Sequence, residues 1–345
     1  MRSNLPYYQD ILSQPEAILQ AVASFSPDTE LIQIFEKIKA GHFKRIILTG
    51  MGSSFHALYP LYIRLAVNHL PVQLIETSEL IYYFAPPVYS PDILIITVSQ
   101  SGLSAEIIRL LQMVNQQAPI IAVTNSPGSP LAAQAATTIY TNAGTEHSVS
   151  CKTYLATLVS LFLLGEFFQE GKSSRLMKPL NDSAQAVKGY LIKSEEFIEA
   201  IKNDLKGITF LHLTGRGPSM SSVGTGALII KEAAHFPTEG LSSASFRHGP
   251  FEIISSKHCV LIFLGSAPTI SLNKRLYQDV VSAGGRAFII GNEPKTAWNN
   301  LPLVLPEFLP LVEILPAQLI SIALAEMSGL QAGNFQFGSK ITTIE

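Results

Sequence analysis

Short apolar runs alternate with longer segments of helical periodicity along most of the chain. The run DILIITV (Asp92–Val98) is apolar almost throughout, which is typical of parallel strands covered on both faces. The pattern predicts strands at Arg45–Thr49, Val72–Glu76, Ile93–Val98, Ile120–Thr124, Thr138–Tyr140, Ile208–Thr214, Cys259–Leu264 and Ala287–Ile290. It predicts helices at Phe55–Asn68, Ser104–Gln117, Lys152–Gln169, Ser221–His235, Ile270–Ala283 and Ala317–Met327. Alternating strands and helices indicate an α/β fold with doubly wound parallel sheets.

An internal duplication divides the chain. RIILTGMGSS (Arg45–Ser54) is echoed by FLHLTGRGPS (Phe210–Ser219), so that Gly50 and Gly215 lie 165 positions apart. PIIAVTN and RAFIIGN, which end at Asn125 and Asn292, repeat at an offset of 167. We therefore expect two tandem α/β domains. The predicted organisation is N-terminal helices at 1–42, domains at 43–170 and 207–330, linking helices at 171–206 and a tail at 331–345.

The charge balance restricts the partners. The 345 residues include 24 Lys plus Arg and 26 Asp plus Glu, and there is no basic run, which argues against nucleic acid or an anionic membrane as partner. The longest apolar run, Tyr154–Gly165, is well short of the ~18–20 residues of a membrane span. The N-terminus has no apolar signal region, and Cys151 and Cys259 form no metal or disulfide pattern. We expect a cytoplasmic protein.

Two turns between a strand and a helix resemble dinucleotide-binding loops but lack their third glycine. GMGSSF has Phe55 at that position, and GRGPSM has Met220. The chain also contains no phosphate-binding loop of the G-x-x-x-x-G-K-[ST] type. These absences disfavour NAD and ATP as ligands.

A serine-rich turn, SQSGLS (Ser99–Ser104), follows the most apolar predicted strand and opens a helix. Backbone N–H groups at a helix N-terminus bind anions, and the hydroxyls of Ser99, Ser101 and Ser104 add further donors. A single serine in such a turn is more often a helix cap. Three hydroxyls close to the second pair, Ser53 and Ser54, favour a phosphate monoester site.

Candidate groups for proton transfer are more ambiguous. Glu232 and His235 lie one helical turn apart in KEAAHF, where a surface ion pair is the ordinary alternative. His248 lies in the turn FRHGPFE, and Lys340 lies in an apolar tail segment, FQFGSKITTIE. Composition and spacing do not choose among them.

Together the motifs resemble the sugar isomerase (SIS) superfamily, and in particular the tandem pair of SIS domains in glutamine–fructose-6-phosphate aminotransferases. The resemblance rests on YYQDILSQPEAI, GMGSS, SQSGLS, TNAGTEHSVSCKTY, GALIIKE, RHGP and SKITTIE, which occur in the family's order. It implies two tandem SIS domains, each a three-layer αβα structure with a doubly wound parallel sheet.

The resemblance also implies roles for individual residues. Glu232 would move a proton between C1 and C2 of a sugar phosphate, His248 of the partner subunit would open the sugar ring, and Lys340 would close over the site. A homodimer follows from the role of His248. The phosphate would bind Ser54, Ser99, Gln100, Ser101 and Ser104, and the sugar would contact Ser53 and Ser150. No metal or organic cofactor is implied.

Some positions depart from the family's pattern. Thr225 and Ile229 stand where the family has a glutamate and a basic residue, and a one-residue deletion precedes VSCK. No glutaminase segment precedes Tyr7, so we expect a glutamine-independent isomerase or deaminase of a hexose or amino-sugar 6-phosphate. The alternatives are a fructosamine-6-phosphate deglycase and a non-catalytic sugar-phosphate sensor.

Overall fold

A computed structural model describes residues 2–86, 89–293 and 295–342. Its strands are β1 Arg45–Gly50, β2 Val72–Leu74, β3 Ile93–Val98, β4 Ile120–Thr124, β5 Thr137–Tyr140, β6 Phe210–Gly215, β7 Thr238–Ser242, β8 His258–Phe263 and β9 Arg286–Ile290. The α-helices are α1 Pro6–Leu12, α2 Gln14–Ser24, α3 Thr29–Lys39, α4 Gly52–Ala57, α5 Tyr59–Val67, α6 Thr77–Glu79, α7 Ala105–Val114, α8 Pro130–Gln134, α9 Lys152–Glu170, α10 Ser174–Leu191, α11 Ser194–Asp204, α12 Met220–Ala234, α13 Ser243–Arg247, α14 Ile270–Ser282 and α15 Leu309–Met327.

The chain forms two compact units, each with one sheet. The β1–β5 unit comprises residues 16–145, 152–181 and 337–345. The β6–β9 unit comprises residues 1–15, 146–151 and 182–336. Neither unit is continuous in sequence. The short segment 146–151, for example, belongs to the β6–β9 unit, although the residues on both sides of it belong to the β1–β5 unit.

The sheet of the β1–β5 unit has the strand order β2-β1-β3-β4-β5, and its neighbouring strands pair in parallel. Every residue of β3 and β4 is buried, as their apolar sequences require. A core cluster that includes Ile47, Ile95 and Leu110 packs α7 against this sheet. Parallel strands buried between helices confirm the predicted α/β class.

The sheet of the β6–β9 unit has the order β7-β6-β8-β9, again with parallel pairings. Around the pair β6 and β8 it repeats the order that the first sheet has around β1 and β3. The strand β7 was not predicted, because Gly240 and the flanking Glu239 interrupt its apolar pattern. Pairing with β6 nevertheless fixes it as an edge strand.

Two predicted helices differ from the structure at prolines. The helix predicted at Phe55–Asn68 is broken at Leu58, since Pro60 stands in the first turn of the new helix α5. Conversely, α15 begins at Leu309 rather than Ala317 and runs through Pro316. Proline is tolerated in a first turn and costs stability inside a helix, and here burial of almost the whole of α15 offsets that cost.

Within the described part of the chain, one segment is long and apolar enough to cross a membrane by length and composition alone. It is Pro306–Met327, with a mean hydropathy of 1.9, and 94% of its apolar window is buried inside the structure. Such burial is the state of a core helix. The apolar run at Tyr154–Gly165, which falls within the predicted helix Lys152–Gln169, lies in α9 and is buried throughout.

Candidate functional site

The carboxyl ends of β1 and β3 form the candidate anion site of the β1–β5 unit. These strands are neighbours with Gly50 opposite Val98, while β2 pairs on the far side of β1 and β4 on the far side of β3. The chain thus leaves β1 and β3 in opposite directions. Ligands of open parallel sheets bind at such a switch point. The turn after β1 carries Ser53 and Ser54, and the turn after β3 carries Ser99–Ser104.

Gly50 allows the two turns to approach each other. A Cβ atom at this position would lie 2.9 Å from the Val98 carbonyl oxygen and 3.1 Å from the main-chain nitrogen of Phe55. Any side chain here would push β3 away from the first turn of α4. The GMGSS sequence therefore serves close packing of strand, turn and helix at this edge.

The hydroxyls of Ser99 and Ser101 are oriented by the turn itself. Ser99 Oγ accepts a hydrogen bond from the Gly102 N–H at 3.0 Å, and Ser101 Oγ accepts one from the Leu103 N–H at 3.2 Å. Both serines are buried. Because each oxygen accepts a backbone bond, its own proton remains to be donated to a ligand. We expected the backbone N–H groups of this turn to face the ligand, whereas those of Gly102 and Leu103 donate to the serine hydroxyls.

Neighbouring residues fix the rest of the turn. The Gln100 carbonyl accepts hydrogen bonds from the Asn125 N–H at 3.1 Å and from Ser126 Oγ at 3.0 Å. Ser104 precedes α7 with extended backbone geometry, but its side chain makes no capping bond. A capping role therefore does not account for this serine, and its hydroxyl lies at the N-terminus of α7 with the predicted anion site.

The tail carrying Lys340 also reaches this helix end. The Ala105 N–H, the first of α7, donates a hydrogen bond of 3.2 Å to the carbonyl oxygen of Thr342. Lys340 is half-buried two residues earlier. The structure therefore gathers the predicted phosphate-binding serines and the Lys340 segment within one unit.

Other predicted site residues lie in the β6–β9 unit. Glu232 is half-buried in the last turn of α12, which ends at His235 in a left-handed conformation (φ 51°). Gly333 donates its N–H to the carbonyl oxygen of Ala233, next to Glu232, at 3.0 Å. The ring of His235 binds the Asn334 carbonyl oxygen at 3.1 Å, so His235 holds the segment around Gly333.

Ser150 lies in the segment Glu146–Cys151, which hydrogen bonds tie down inside the same unit. The buried Glu146 carboxylate accepts the Cys151 N–H at 2.9 Å, and Asp10 accepts the His147 N–H at 2.7 Å. Ser148 donates its hydroxyl proton to the Gly333 carbonyl. Gly333 therefore connects the Ser150 segment to the end of α12, where Glu232 stands.

Tyr7 is a site neighbour that the sequence argument did not single out. Its buried hydroxyl lies 3.0 Å from Ser321 Oγ. Burial, and after it the negative charges of Cys151, Glu232 and Glu146, raises the pKa of Tyr7 well above its usual value. Tyr7 thus remains a neutral hydrogen-bonding group within electrostatic range of Glu232 and Glu146. The sequence signal that could have pointed to this cluster was Glu146, an acidic residue inside a turn of polar residues.

His248 ends the short helix α13 and is exposed. Phe246 and Phe251 lie on either side of it in sequence, with ring centroids 6.0 Å apart, and both pack on the core of the second sheet. Gly249 follows with φ 136°, a conformation that favours glycine. The turn is therefore anchored on both sides and presents the imidazole to the surface. Over the described residues, no three His, Cys, Asp or Glu side chains are grouped so as to hold a metal ion.

Comparison with known proteins finds a family model that matches part of the chain. Residues 42–166, which include both serine turns, match the family model of the SIS domain. A glutamine–fructose-6-phosphate aminotransferase (isomerizing) of Pyrococcus horikoshii is 28% identical over 98% of this chain, and the chain spans 57% of that relative's length.

Two solved structures share the fold. The C-terminal domain of glucosamine-fructose-6-phosphate aminotransferase from Francisella tularensis has a TM-score of 0.83 at 20% identity, covering 96% of this chain and 98% of that one. Glucosamine-6-phosphate deaminase from Thermotoga maritima has a TM-score of 0.76 at 18% identity, covering 98% of this chain and all of that one. Residues 42–166 thus match the SIS domain, and almost the whole chain is similar to part of the Pyrococcus horikoshii aminotransferase and shares the fold of the Francisella tularensis C-terminal domain.

Proposed function

We propose that the chain is a sugar-phosphate isomerase or amino-sugar-phosphate deaminase that acts on a hexose 6-phosphate or its 2-amino derivative. The observation that carries this proposal is the pair of serine turns at the β1–β3 switch point, inside the segment that matches the SIS domain. Ser54, Ser99, Ser101 and Ser104 would donate to the phosphate, along with Gln100. Neutral donors suit a phosphate that must also leave after turnover.

Proton transfer is the step that both reactions share. A deaminase would in addition add water to the C2 imine that the proton transfer forms, which gives the ketose and releases ammonia. In the open-chain sugar the Glu232 carboxylate would take the proton from one carbon of the C1–C2 pair and return it to the other through an enediol or enolamine. Ser53 and Ser150 would contact the sugar. A carboxylate on a helix is held rigidly, and general base catalysis of this kind contributes ~10²–10⁴-fold. Tyr7, neutral and close, is suited to keep the surroundings of this carboxylate polar without adding charge.

The remaining roles are proposed from the same family pattern. His248 of the partner subunit would transfer the proton needed for ring opening, which requires a homodimer, and Lys340 would close over the bound sugar to exclude water. We also propose that the β6–β9 unit is a second SIS domain, because its strand order repeats that of the first sheet around β6 and β8.

The direct test is a substrate panel. Purified protein is incubated with fructose 6-phosphate, glucosamine 6-phosphate, fructose 6-phosphate plus ammonia, and fructoselysine-type 6-phosphates, and products are followed by NMR. We expect turnover of at least one of the first three, abolished by Glu232→Gln while binding stays within about tenfold. Glu196→Gln, an exposed carboxylate on α11, is the matched control and should stay active. Activity on the fructoselysine-type compounds alone would instead make the chain a deglycase.

A second candidate is a sensor that binds sugar phosphates without turnover. The observation favouring it is on α12, where Thr225 and Ile229 are buried and the Thr225 hydroxyl has no hydrogen-bond partner among the described residues. The helix face leading to Glu232 therefore lacks the charged pair that the family pattern has there. Binding without any turnover on the panel would select the sensor.

A complementation experiment tests the dimer. Glu232→Gln and His248→Asn are each expected to be inactive, but a re-equilibrated mixture should recover about a quarter of wild-type activity, since half of the dimers are mixed and each contains one complete site. If mixing restores nothing while both variants are dimeric, His248 does not act across the interface.

A further inference from the structure

A buried carboxylate lies at the carboxyl edge of the second sheet. Glu313, on α15, is 1% exposed. Its Oε1 accepts a hydrogen bond of 2.9 Å from Ser219 Oγ, and the main-chain N–H of Gly265 also donates to the carboxylate. Oε2 has no hydrogen-bond partner in the described part of the chain. Burial raises the pKa of Glu313 to about 7, against the opposing effect of the two donors. A buried carboxylate in a mostly apolar helix costs stability, and hydrogen bonds have to offset that cost.

The two donors come from the switch point of this sheet. Ser219 ends the turn after β6, and Gly265 lies in the turn after β8, which pairs with β6. A Cβ atom on Gly265 would lie 3.2 Å from Ser219 Oγ, so the two turns meet closely. Gly265 has φ +67°, a backbone conformation that favours glycine at this turn. The carboxylate thus stands where open parallel sheets bind their ligands.

The internal duplication relates this position to the candidate anion site of the first unit. Ser219 lies 165 positions after Ser54, and Gly265 lies 165 positions after Gln100, the same offset that relates Gly215 to Gly50. Ser54 and Gln100 belong to the turns proposed to bind the phosphate in the first unit. In the second unit the corresponding hydroxyl and the corresponding main-chain amide both bind one internal carboxylate.

We propose that the β6–β8 edge is a second anion site, which the chain fills permanently with its own Glu313 carboxylate. Glu313 takes the place of a small oxyanion such as phosphate, so that each chain offers a single open site. Replacing the carboxylate with a small side chain opens this edge to inorganic phosphate. The inference rests on the geometry of the second sheet and on its correspondence to the serine turns proposed to bind phosphate in the first unit, and it does not depend on the reaction proposed for the chain.

The test compares phosphate binding by four proteins at pH 8 in matched ionic strength: wild type, Glu313→Ser, the double variant Glu313→Ser/Ser219→Ala, and Ile320→Ala. Ile320 is equally buried two turns further along α15, so its truncation makes a cavity in the same helix away from the edge. At a phosphate concentration ten times its Kd, we expect the Tm of Glu313→Ser to rise by about 2–4 °C more than that of wild type. Calorimetry should show one more bound phosphate per chain than in wild type.

The extra shift should disappear in the double variant and be absent from Ile320→Ala. A folded Glu313→Ser protein with no phosphate binding beyond wild type would overturn the proposal. If this variant does not fold in chloride, 100 mM phosphate should rescue its refolding and chloride of equal ionic strength should not. Absence of that rescue would likewise overturn it. Failure of the substrate panel leaves these outcomes unchanged, because no turnover is measured.

Discussion

Ala105, the first residue of α7, donates its N–H to the carbonyl oxygen of Thr342, so a main-chain group of the tail occupies part of the helix end at which the phosphate is proposed to bind. Residues 337–339 and 342 of the tail are exposed, and Phe337 is 94% exposed. A segment with so little burial can open at small cost.

Truncation after Gln336 tests the importance of this contact. We expect the Kd for a hexose 6-phosphate to rise at least tenfold, because the Lys340 cation and the closing segment are lost, while the Tm changes by no more than about 2 °C. Titration calorimetry and thermal denaturation measure the two effects. Phe337→Ala is the control and should change neither. An unchanged Kd after truncation would remove the tail from the site.

Gly333 offers a sharper test of the role proposed for Glu232 and its neighbours in the β6–β9 unit. A Cβ atom at Gly333 would collide with Ser148 Oγ and lie 2.8 Å from Tyr7 Cβ, whereas one at Gly329 would meet nothing within 4 Å. Both glycines have positive φ, +84° and +69°, so Gly329→Ala controls for backbone strain. We expect Gly333→Ala to be about 1–3 kcal/mol less stable than Gly329→Ala in urea denaturation. Its kcat/KM should fall at least tenfold below that of the control, and equal behaviour of the two variants would contradict this.

Acid should destabilise the β1–β5 unit through Glu166, which is 1% exposed. Arg175 binds this carboxylate at 2.5 and 2.7 Å, and Arg64 binds it as well. Hydrogen bonds from Arg175, and next those from Arg64, lower the pKa of Glu166, against the opposing effect of burial. A carboxyl with a lowered pKa contributes stability above its unfolded pKa and loses that contribution as the pH falls.

Replacing both guanidinium groups, as Arg64→Met/Arg175→Met, should cost about 3–5 kcal/mol at pH 7, because the buried carboxylate then has no cation. The difference from wild type should shrink at pH 4. Urea denaturation at both values measures it. Glu170→Gln, an exposed change at the end of the same helix, should stay within about 0.5 kcal/mol of wild type. An equal cost at both pH values would exclude the ion pairs as the cause.

A second pH effect arises at His212 on β6. Its buried ring stacks on His258 with centroids 6.0 Å apart, and its Nε2 lies 3.4 Å from Glu239 Oε2. Burial lowers the pKa of His212, Glu239 opposes this and the charge of His258 adds to it. The unfolded chain therefore binds a proton more readily than the native one, so stability falls as the pH drops through about 6.5.

His212→Phe keeps an aromatic ring and removes the titration. Between pH 8 and 5 we expect the wild type to lose more stability than this variant, measured as the urea midpoint at each pH. His42→Phe, at an exposed histidine, should follow the wild type. A variant that loses as much stability as wild type would place the acid sensitivity elsewhere in the chain.

The sequence predicted the parts of the fold whose causes are local. The predicted bounds of β1, β3 and β4, and the positions of the turns that follow them, were correct almost to the residue. Strands buried on both faces are apolar throughout, and this continuous apolar pattern is easy to recognise. The site residues of the second unit depend on distant pairings. Asp10 and Gly333 act through hydrogen bonds to segments far away in sequence, which no local pattern reveals.

At Glu313 the sequence does carry a local signal of a buried charge. It is the one charged residue in the stretch FLPLVEILPAQLISIALA, residues 308–325. The helix was predicted to begin only at Ala317, whereas α15 begins at Leu309, so the predicted helix did not include this isolated charge. Its partners, Ser219 and Gly265, become visible only when β6 and β8 are paired.

The discontinuous composition of the two units has a consequence for synthesis. During translation, residues 1–15 are made well before residues 182–336, which complete the unit that they join. The β1–β5 unit in turn receives residues 337–345 after all the others. Domains usually fold in the order in which they emerge. Here most of the β1–β5 unit is made first, yet this unit is completed last, so its final residues become available only after the whole β6–β9 unit has been synthesised.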